Sequence, residues 1–210
     1  YVITSDYHFK LWERPFKFTS ALYYKYLWDI IPYEINNLQI NYLHDNVATG
    51  YATGIDLKLY GEFVQGVDSW ISLSVLSTQE DIEGDVDSDG NEIGFIPKPT
   101  DQRIKCSIFF QDYLPKNPKY KFHMSLNYGS GLPFGPNNSS RHQQTMRMPS
   151  YKRMDMGISR MIKEPDTESK LGFINHCNSI TLSAEVFNLL GIRNTASYIW
   201  VTDSSNRKYA

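Results

Sequence analysis

Residues 100–136, TDQRIKCSIFFQDYLPKNPKYKFHMSLNYGSGLPFGP, alternate apolar and polar side chains along two arms joined by a short turn. From Arg103 onward, Ile104, Cys106, Ile108 and Phe110 fall on one face, and Arg103, Lys105, Ser107, Phe109 and Gln111 on the other. Beyond a turn at Leu114 to Pro118 the pattern resumes, with Tyr120, Phe122, Met124, Leu126 and Tyr128 opposed to Lys119, Lys121, His123, Ser125 and Asn127. Strand side chains repeat with period two, so the stretch predicts a long β-hairpin with both apolar sets on one surface. Each arm keeps the alternation for about ten residues, beyond the usual ~5 or 6 and near the ~9 to 11 that a tilted strand needs to cross a bilayer.

The same pattern extends outward in both directions. Upstream, Tyr7, Phe9 and Leu11 alternate with polar residues between Tyr1 and Trp12, and a turn at Glu13 to Pro15 leads to Phe16, Phe18, Leu22, Tyr24 and Tyr26. Ile31-Pro32 closes that strand, because proline cannot donate to a ladder. Within the connection to Gly50, Glu34 to Leu43 reads as a small accessory hairpin. Next come Ile55, Leu57, Leu59 and Phe63, a turn at Val64 to Asp68, and Ile71, Leu73 and Val75 in a strand ending near Gln79. Downstream, Met154, Met156 and Ile158 form one strand and Ile180, Leu182, Ala184 and Val186 the last, across a turn at Lys163 to Asn175. Eight long strands result. Short links follow Trp12, Phe63 and Tyr113, with a somewhat longer one after Ile162, whereas long polar links follow Asp29, Gln79, Gly129 and Asn188. Outer-membrane barrels have short turns at one rim and long loops at the other.

The expected fold class is therefore all-β, an antiparallel transmembrane β-barrel, with residues 1–210 a single domain supplying about eight strands of a larger wall. Slipping the register by one residue would turn Lys119 and Lys121 toward lipid, at ~2–4 kcal/mol each near the midplane. Tyr23, Tyr24, Tyr26, Trp28, Trp70, Tyr113, Tyr128 and Tyr151 lie near strand ends, where aromatic girdles meet the headgroups. The alternative is a secreted, soluble β-sandwich binding a carbohydrate or other ligand, with these aromatics in its core.

Composition agrees with an ordinary folded chain: 41% hydrophobic residues and a formal charge of −2, which implies no nucleic-acid partner. The 15 Tyr and 11 Phe sit mostly within or at the ends of the alternating segments. The mean hydropathy of −0.43 and the lack of a long apolar run do not bear on a barrel, whose every second residue is polar. Cys106 and Cys177 lack metal-ligand spacing, and no disulfide between them is expected.

Several segments resemble the C-terminal barrel region of TonB-dependent outer-membrane receptors, especially those of Bacteroidetes. They are residues 98–136, MPSYKRMDMGISR from Met148, ITLSAEVFNLLGIRNTASYIWV from Ile180, and RPFKFTSALYYKYL from Arg14 with YATGIDLKLYGEF from Tyr51. The resemblance implies a barrel of about 22 strands, a size found in plugged outer-membrane transporters. It also implies import of a scarce nutrient across the bacterial outer membrane, with no catalysis. The implied partners are outer-membrane lipid, a plug domain of the same receptor, TonB, a surface lipoprotein, and a small-molecule, glycan or peptide ligand. No cofactor is implied. In the family the plug precedes this region and one more strand follows it.

Family topology puts Gly191 to Ala210, Gly129 to Pro149, Glu80 to Pro99 and Pro32 to Gly50 at the outer rim. Ligand contacts are expected there from Arg141, His142, Tyr198 and Trp200, which combine charge or hydrogen bonding with flat aromatic surface. Asp85-Val86-Asp87-Ser88-Asp89-Gly90 has the D-x-D-x-D-G opening of a calcium loop, but Ile96 stands where the closing Glu belongs, so a solvated acidic loop is the preferred reading. Ser139, Ser140, Arg141 and His142 cluster without a recognisable catalytic motif, and His123 sits on a polar strand face. Arg153 and Asp155 share the inward face two residues apart.

Overall fold

A computed structural model describes residues 1–36, 39–43, 45–114, 117–136, 139–165, 176–202 and 208–209. Strands β1 (Val2–Leu11) and β2 (Arg14–Ile30) form a hairpin, and the connection beyond carries the small hairpin of β3 (Tyr33–Asn36) and β4 (Gln39–Tyr42). The long pair β5 (Ala48–Val64) and β6 (Val67–Ile82) follows, then the short β7 (Ile96–Pro97), β8 (Ile104–Leu114) and β9 (Asn117–Gly129). The next connection holds β10 (Pro133–Phe134), a single 3-10 turn at Arg141–Gln143 and β11 (Met146–Arg147). Last come β12 (Tyr151–Lys163), β13 (Ile180–Val186) and the pair β14 (Val201–Thr202) and β15 (Lys208–Tyr209).

One antiparallel sheet dominates, in the order β1-β2-β5-β6-β8-β9-β12-β13, with β7 added beside β6. Its outer strands β1 and β13 do not pair with each other, so the sheet is open. Each long strand pairs antiparallel with the long strands before and after it along the chain, through two-residue links and long connections in alternation in the β1 to β12 part. Trp12-Glu13 joins β1 to β2 with φ of 53° and 61°, and Gln65-Gly66 joins β5 to β6 with φ of 78° at the glycine. These links and the β8–β9 link fall at one rim, here the turn rim. The connections spanning 31–47, 83–103 and 130–150 fall at the other, the loop rim. The expected turn at Leu114 to Pro118 includes 115–116, and that at Lys163 to Asn175 includes 166–175; those positions lie outside the described residues.

Register carries the period-two pattern across the whole sheet. Tyr7, Phe18, Leu59, Ile71, Ile108, Leu126 and Met154 stand side by side in one row. Ile3, Leu22, Ile55, Val75 and Ile104 form another row of that face. The opposite face carries Asp6, Thr19, Lys58, Ser72, Ser107, Asn127 and Arg153 in a row. Leu22, Ile71, Leu73, Val75, Ile104 and Ile158 of the apolar face remain exposed. Among the described residues there is no second large sheet to cover them.

Turn limits, strand ends and the faces of some aromatics differ from the sequence reading: the turn expected at Val64 to Asp68 is Gln65-Gly66, and β5 and β6 extend to Ala48 and Ile82. The first turn is Trp12-Glu13 rather than Glu13 to Pro15, since Arg14 and Pro15 already pair with Leu11 and Lys10. Of the expected girdle residues, Tyr24, Tyr26, Trp28 and Tyr128 share the apolar parity, but Tyr23, Trp70, Tyr113 and Tyr151 project from the polar face. Polar-face aromatics gain partners there. The Lys58 ammonium lies 5.2 Å from the Trp70 ring centre, the Tyr113 hydroxyl donates to the Gly66 carbonyl, and the Tyr23 ring covers Gly54. At the turn rim the apolar face instead carries Phe9, Phe16, Phe110, Tyr120 and Phe122. Phe16 is almost wholly buried, lying over Gly61 and meeting Phe63 edge-on at 5.1 Å. A side chain at Gly61 would occupy the space of that ring.

Candidate functional site

At the loop rim, side chains complete the ladder where main chain no longer does. Lys98 N–H donates to the Thr78 carbonyl and Leu76 N–H to the Arg103 carbonyl, which leaves Thr78 N–H between them. The Asp101 carboxylate fills that place, accepting from Thr78 N–H at 2.8 Å while its other oxygen accepts from Arg103 Nε at 2.6 Å and from Arg147 Nη2. Asp101 is fully buried. Burial alone pushes its carboxyl up, but the bonds from Arg103, Thr78 and Arg147 outweigh burial and hold it below the usual carboxylate range.

A second cation clamps the same loops. Arg141, on the 3-10 turn, reaches back to Glu80 at the top of β6, its Nη2 lying 3.1 Å from Oε1 and donating to the Pro97 carbonyl. Lys98 Nζ lies 3.5 Å from the other Glu80 oxygen. Glu80 and the Arg141 side chain are buried. Burial lowers the guanidinium's pKa and Glu80 partly restores it, so Arg141 stays a cation. Arg141 and Arg147 thereby fasten the 130–150 connection to the 83–103 connection. Glycines make this approach possible: a side chain at Gly131 would run into Met148 carbonyl oxygen, and one at Gly135 into the Gln144 backbone.

Above this clamp lies a small cleft of about 30 Å³, lined by Phe134, Arg141, Gln144, Tyr198, Trp200 and Ile35 among others. Tyr198 stacks on Phe134 at 4.8 Å between ring centres and 19° between planes, and Trp200 lies 6.3 Å from the same ring. Three of the four residues expected to contact ligand, Arg141, Tyr198 and Trp200, therefore meet in one place. The fourth, His142, faces away toward Asp85, its Nδ1 3.4 Å from a carboxylate oxygen. That side opens on a wider acidic hollow of about 410 Å³, bordered by Asp29, Asp81, Glu83, Asp85 and Glu92. Sequence reading missed Phe134 and Gln144. Phe134 was legible as an aromatic between two bends in GSGLPFGP, whereas nothing local marked Gln144.

The other candidates have local partners. Asp87 accepts from the amides of Asp89 at 2.8 Å and Asn91 at 2.9 Å, and the Asn91 amide foremost keeps its carboxyl below the usual range. It caps its own loop, which a bridge between Val86 and Glu92 closes. The Ser139 hydroxyl donates to the Pro136 carbonyl. His123 lies across Gly157 with Nε2 3.4 Å from Glu185, and Arg153 donates to Asp155 at 2.7 Å on the same face. Cys106 and Cys177 are free thiols. Comparison with protein families, curated proteins and solved structures finds no match.

Proposed function

We propose that this chain is part of the wall of a TonB-dependent outer-membrane receptor, importing a scarce nutrient through a barrel about 22 strands around. The observation that carries the reading is the banding of the exposed apolar face. Leu22, Ile55, Leu57, Leu59, Ile71, Leu73, Val75, Ile104, Ile108 and Leu126 make an aliphatic centre. Aromatics bound it at both rims, with Tyr24, Tyr26, Trp28, Tyr51 and Tyr128 above and Phe9, Phe16, Phe110 and Phe122 below. Phe16 and Tyr24 are about 26 Å apart along β2 at ~3.3 Å per residue, close to the ~25 Å apolar band of outer-membrane barrels. Charges on this face stand toward its two ends, Asp81 and Lys152 near the loop rim and Arg14, Asp112 and Arg160 near the turn rim, where side chains reach headgroups; the Arg160 guanidinium lies 5.1 Å from the Tyr120 ring centre. The open edges at β1 and β13 are the surfaces on which further barrel strands would continue the ladder.

In this reading the polar face lines the interior against the plug, the clamped long connections form the outer vestibule, and TonB supplies energy from the periplasm. Cell fractionation and surface labelling test it. The protein should sediment with outer membrane and need detergent for release, and a tag after Ser88 should be labelled on intact cells while one after Glu13 should not. Release as a soluble protein without detergent would replace this reading with that of a secreted binding module.

A further inference from the structure

The cleft at the loop rim has a chemical character that the wall does not determine. Arg141 and Gln144 are both about nine-tenths buried or more, and both carry a buried nitrogen, Arg141 Nε and Gln144 Nε2, with no hydrogen-bond partner among the described residues. Both residues line the cleft. Leaving a buried donor unmet costs ~1–3 kcal/mol, so two in one small space mark a place built for acceptors. No carboxylate lines the cleft, and Arg141 is its one charged residue. Below it, Lys98, Arg103, Arg141 and Arg147 face the two carboxylates of Glu80 and Asp101, four cations against two anions. The acidic side chains nearby, Glu34, Glu83 and Asp85, border the other side of Arg141. A volume of about 30 Å³ admits a group with two oxygens and little more. The rest of a ligand must lie outside, where Phe134, Tyr198 and Trp200 offer flat surface for a ring.

We propose that this cleft binds the carboxylate of a ring-bearing ligand, with Arg141 and Gln144 donating to the carboxylate oxygens and the ring resting on Tyr198 and Trp200. Acidic sugars and aromatic acids share that chemistry. The inference names the ligand class of the receptor proposed above and rests on that reading only for the side from which ligand arrives.

Titration of the intact protein in detergent tests it, with benzoate and glucuronate as probes, benzamide and glucose as uncharged counterparts, and Trp fluorescence with ligand-observed NMR as readouts. A fragment of this size should bind with Kd on the order of millimolar. At least one of the two acids should saturate and should bind about tenfold more tightly than its uncharged counterpart. Preference for benzoate would assign an aromatic acid, and preference for glucuronate an acidic sugar. Gln144→Glu keeps shape and size but sets a carboxylate against the ligand's, and should weaken binding at least tenfold. Gln144 is not a member of the Glu80–Arg141 or Asp101–Arg147 pairs, and circular dichroism and the melting temperature of the variant check that both survive. Trp200→Ala should lower affinity for the acids without abolishing their advantage over the uncharged probes. Absence of saturable binding by both acids, or binding indifferent to Gln144→Glu, would mean that the cleft holds water only. In a protein that still fractionates with the outer membrane, that result would overturn this inference alone; a soluble protein would overturn the receptor reading instead.

Discussion

The middle of the sheet and its loop rim satisfy backbone groups in different ways. In the middle, main chain bonds to main chain, from Ile55 against Val75 to Ile108 against Leu126, and side chains only choose a face. At the loop rim, side chains stand in for missing strand. Asp101 takes the Thr78 amide, the Ser130 hydroxyl takes the Ile104 amide at 2.9 Å, and the Asn194 side chain bonds both the N–H and the carbonyl of Lys152. Asn188 closes the next loop similarly, exchanging two bonds with Ile192. A uniform ladder tolerates any side chain of the right polarity, whereas a ladder finished by particular carboxylates and amides depends on single residues. Mutational sensitivity should follow that division.

The largest effect is expected at Glu80. Glu80→Ala would leave the Arg141 guanidinium, only 4% exposed, without its carboxylate. Breaking a buried pair from one side costs ~3–5 kcal/mol, and the loss should appear as increased hydrogen exchange across 83–103 and 130–150 while the sheet centre stays protected. Glu80→Leu with Arg141→Leu should recover much of that loss, because the buried guanidinium is removed together with its carboxylate, while Lys98 loses Glu80 in both variants alike. If the single and double variants exchanged alike, the clamp would not be what fastens these connections.

In the sheet centre the test is one of face rather than identity. Leu73→Arg should cost ~2–4 kcal/mol when the protein folds into lipid vesicles, measured by urea titration. Ser72→Arg, one residue away on the polar face, should change stability by ~0.5 kcal/mol or less. Equal costs at the two positions would show that the apolar face does not meet lipid.

This contrast also explains what the sequence made legible. Eight strands, their faces and the alternation of short and long links follow from period-two patterning, which is local and repeated, and the accessory hairpin at 33–42 was readable for the same reason. The strand ends were not. β5 begins at Ala48 and β6 runs to Ile82, beyond the apolar alternation, because each supplies the other's ladder partners there. The ion pairs of the rim were equally hidden: Arg141 and Glu80 are 61 positions apart, Arg147 and Asp101 46 apart, and no periodicity links them. Arg141, Tyr198 and Trp200 were selected for chemical type alone, and their convergence on one cleft comes from folded connections that patterning does not specify.

A smaller effect is expected from pH, acting on Asp101. Its folded-state pKa lies below the ordinary carboxylate value, so its contribution is fully present above that ordinary value, ~3.9, and disappears as pH falls through the lower folded value. Arg103 and Arg147 are 46% and 32% exposed, so solvent weakens the pairing relative to the Glu80 clamp. Protection of the 83–103 amides should hold from pH 7 to about 4 and fall below it. Asp101→Asn should flatten that dependence. A fall that begins well above pH ~4, or one that persists in Asp101→Asn, would show that Asp101 is not the group whose protonation loosens these connections.

The smallest predicted change is a gain, at the opposite rim. Trp12 and Glu13 both adopt positive φ, 53° and 61°, in the two-residue link between β1 and β2. This conformation matches the twist of a tight hairpin, and it is one that Asn-Gly adopts with least strain. A Cβ is disfavoured in the left-handed region by roughly 1–2 kcal/mol per residue, because it crowds the following carbonyl oxygen. Something must offset that here, and the Trp12 ring does so in part by meeting Phe16 edge-on at 6.3 Å. Replacing Glu13 alone by Gly keeps the ring contact and relieves one strained position, so Glu13→Gly should stabilise the folded protein by about 0.5–1 kcal/mol. Replacing Trp12 as well, by Asn, should give less than twice that gain, because the contact with Phe16 is lost. Urea titrations of the two variants in vesicles measure the difference. A loss of stability in Glu13→Gly would show that the Glu13 side chain has a role at the turn rim that its backbone angle does not reveal.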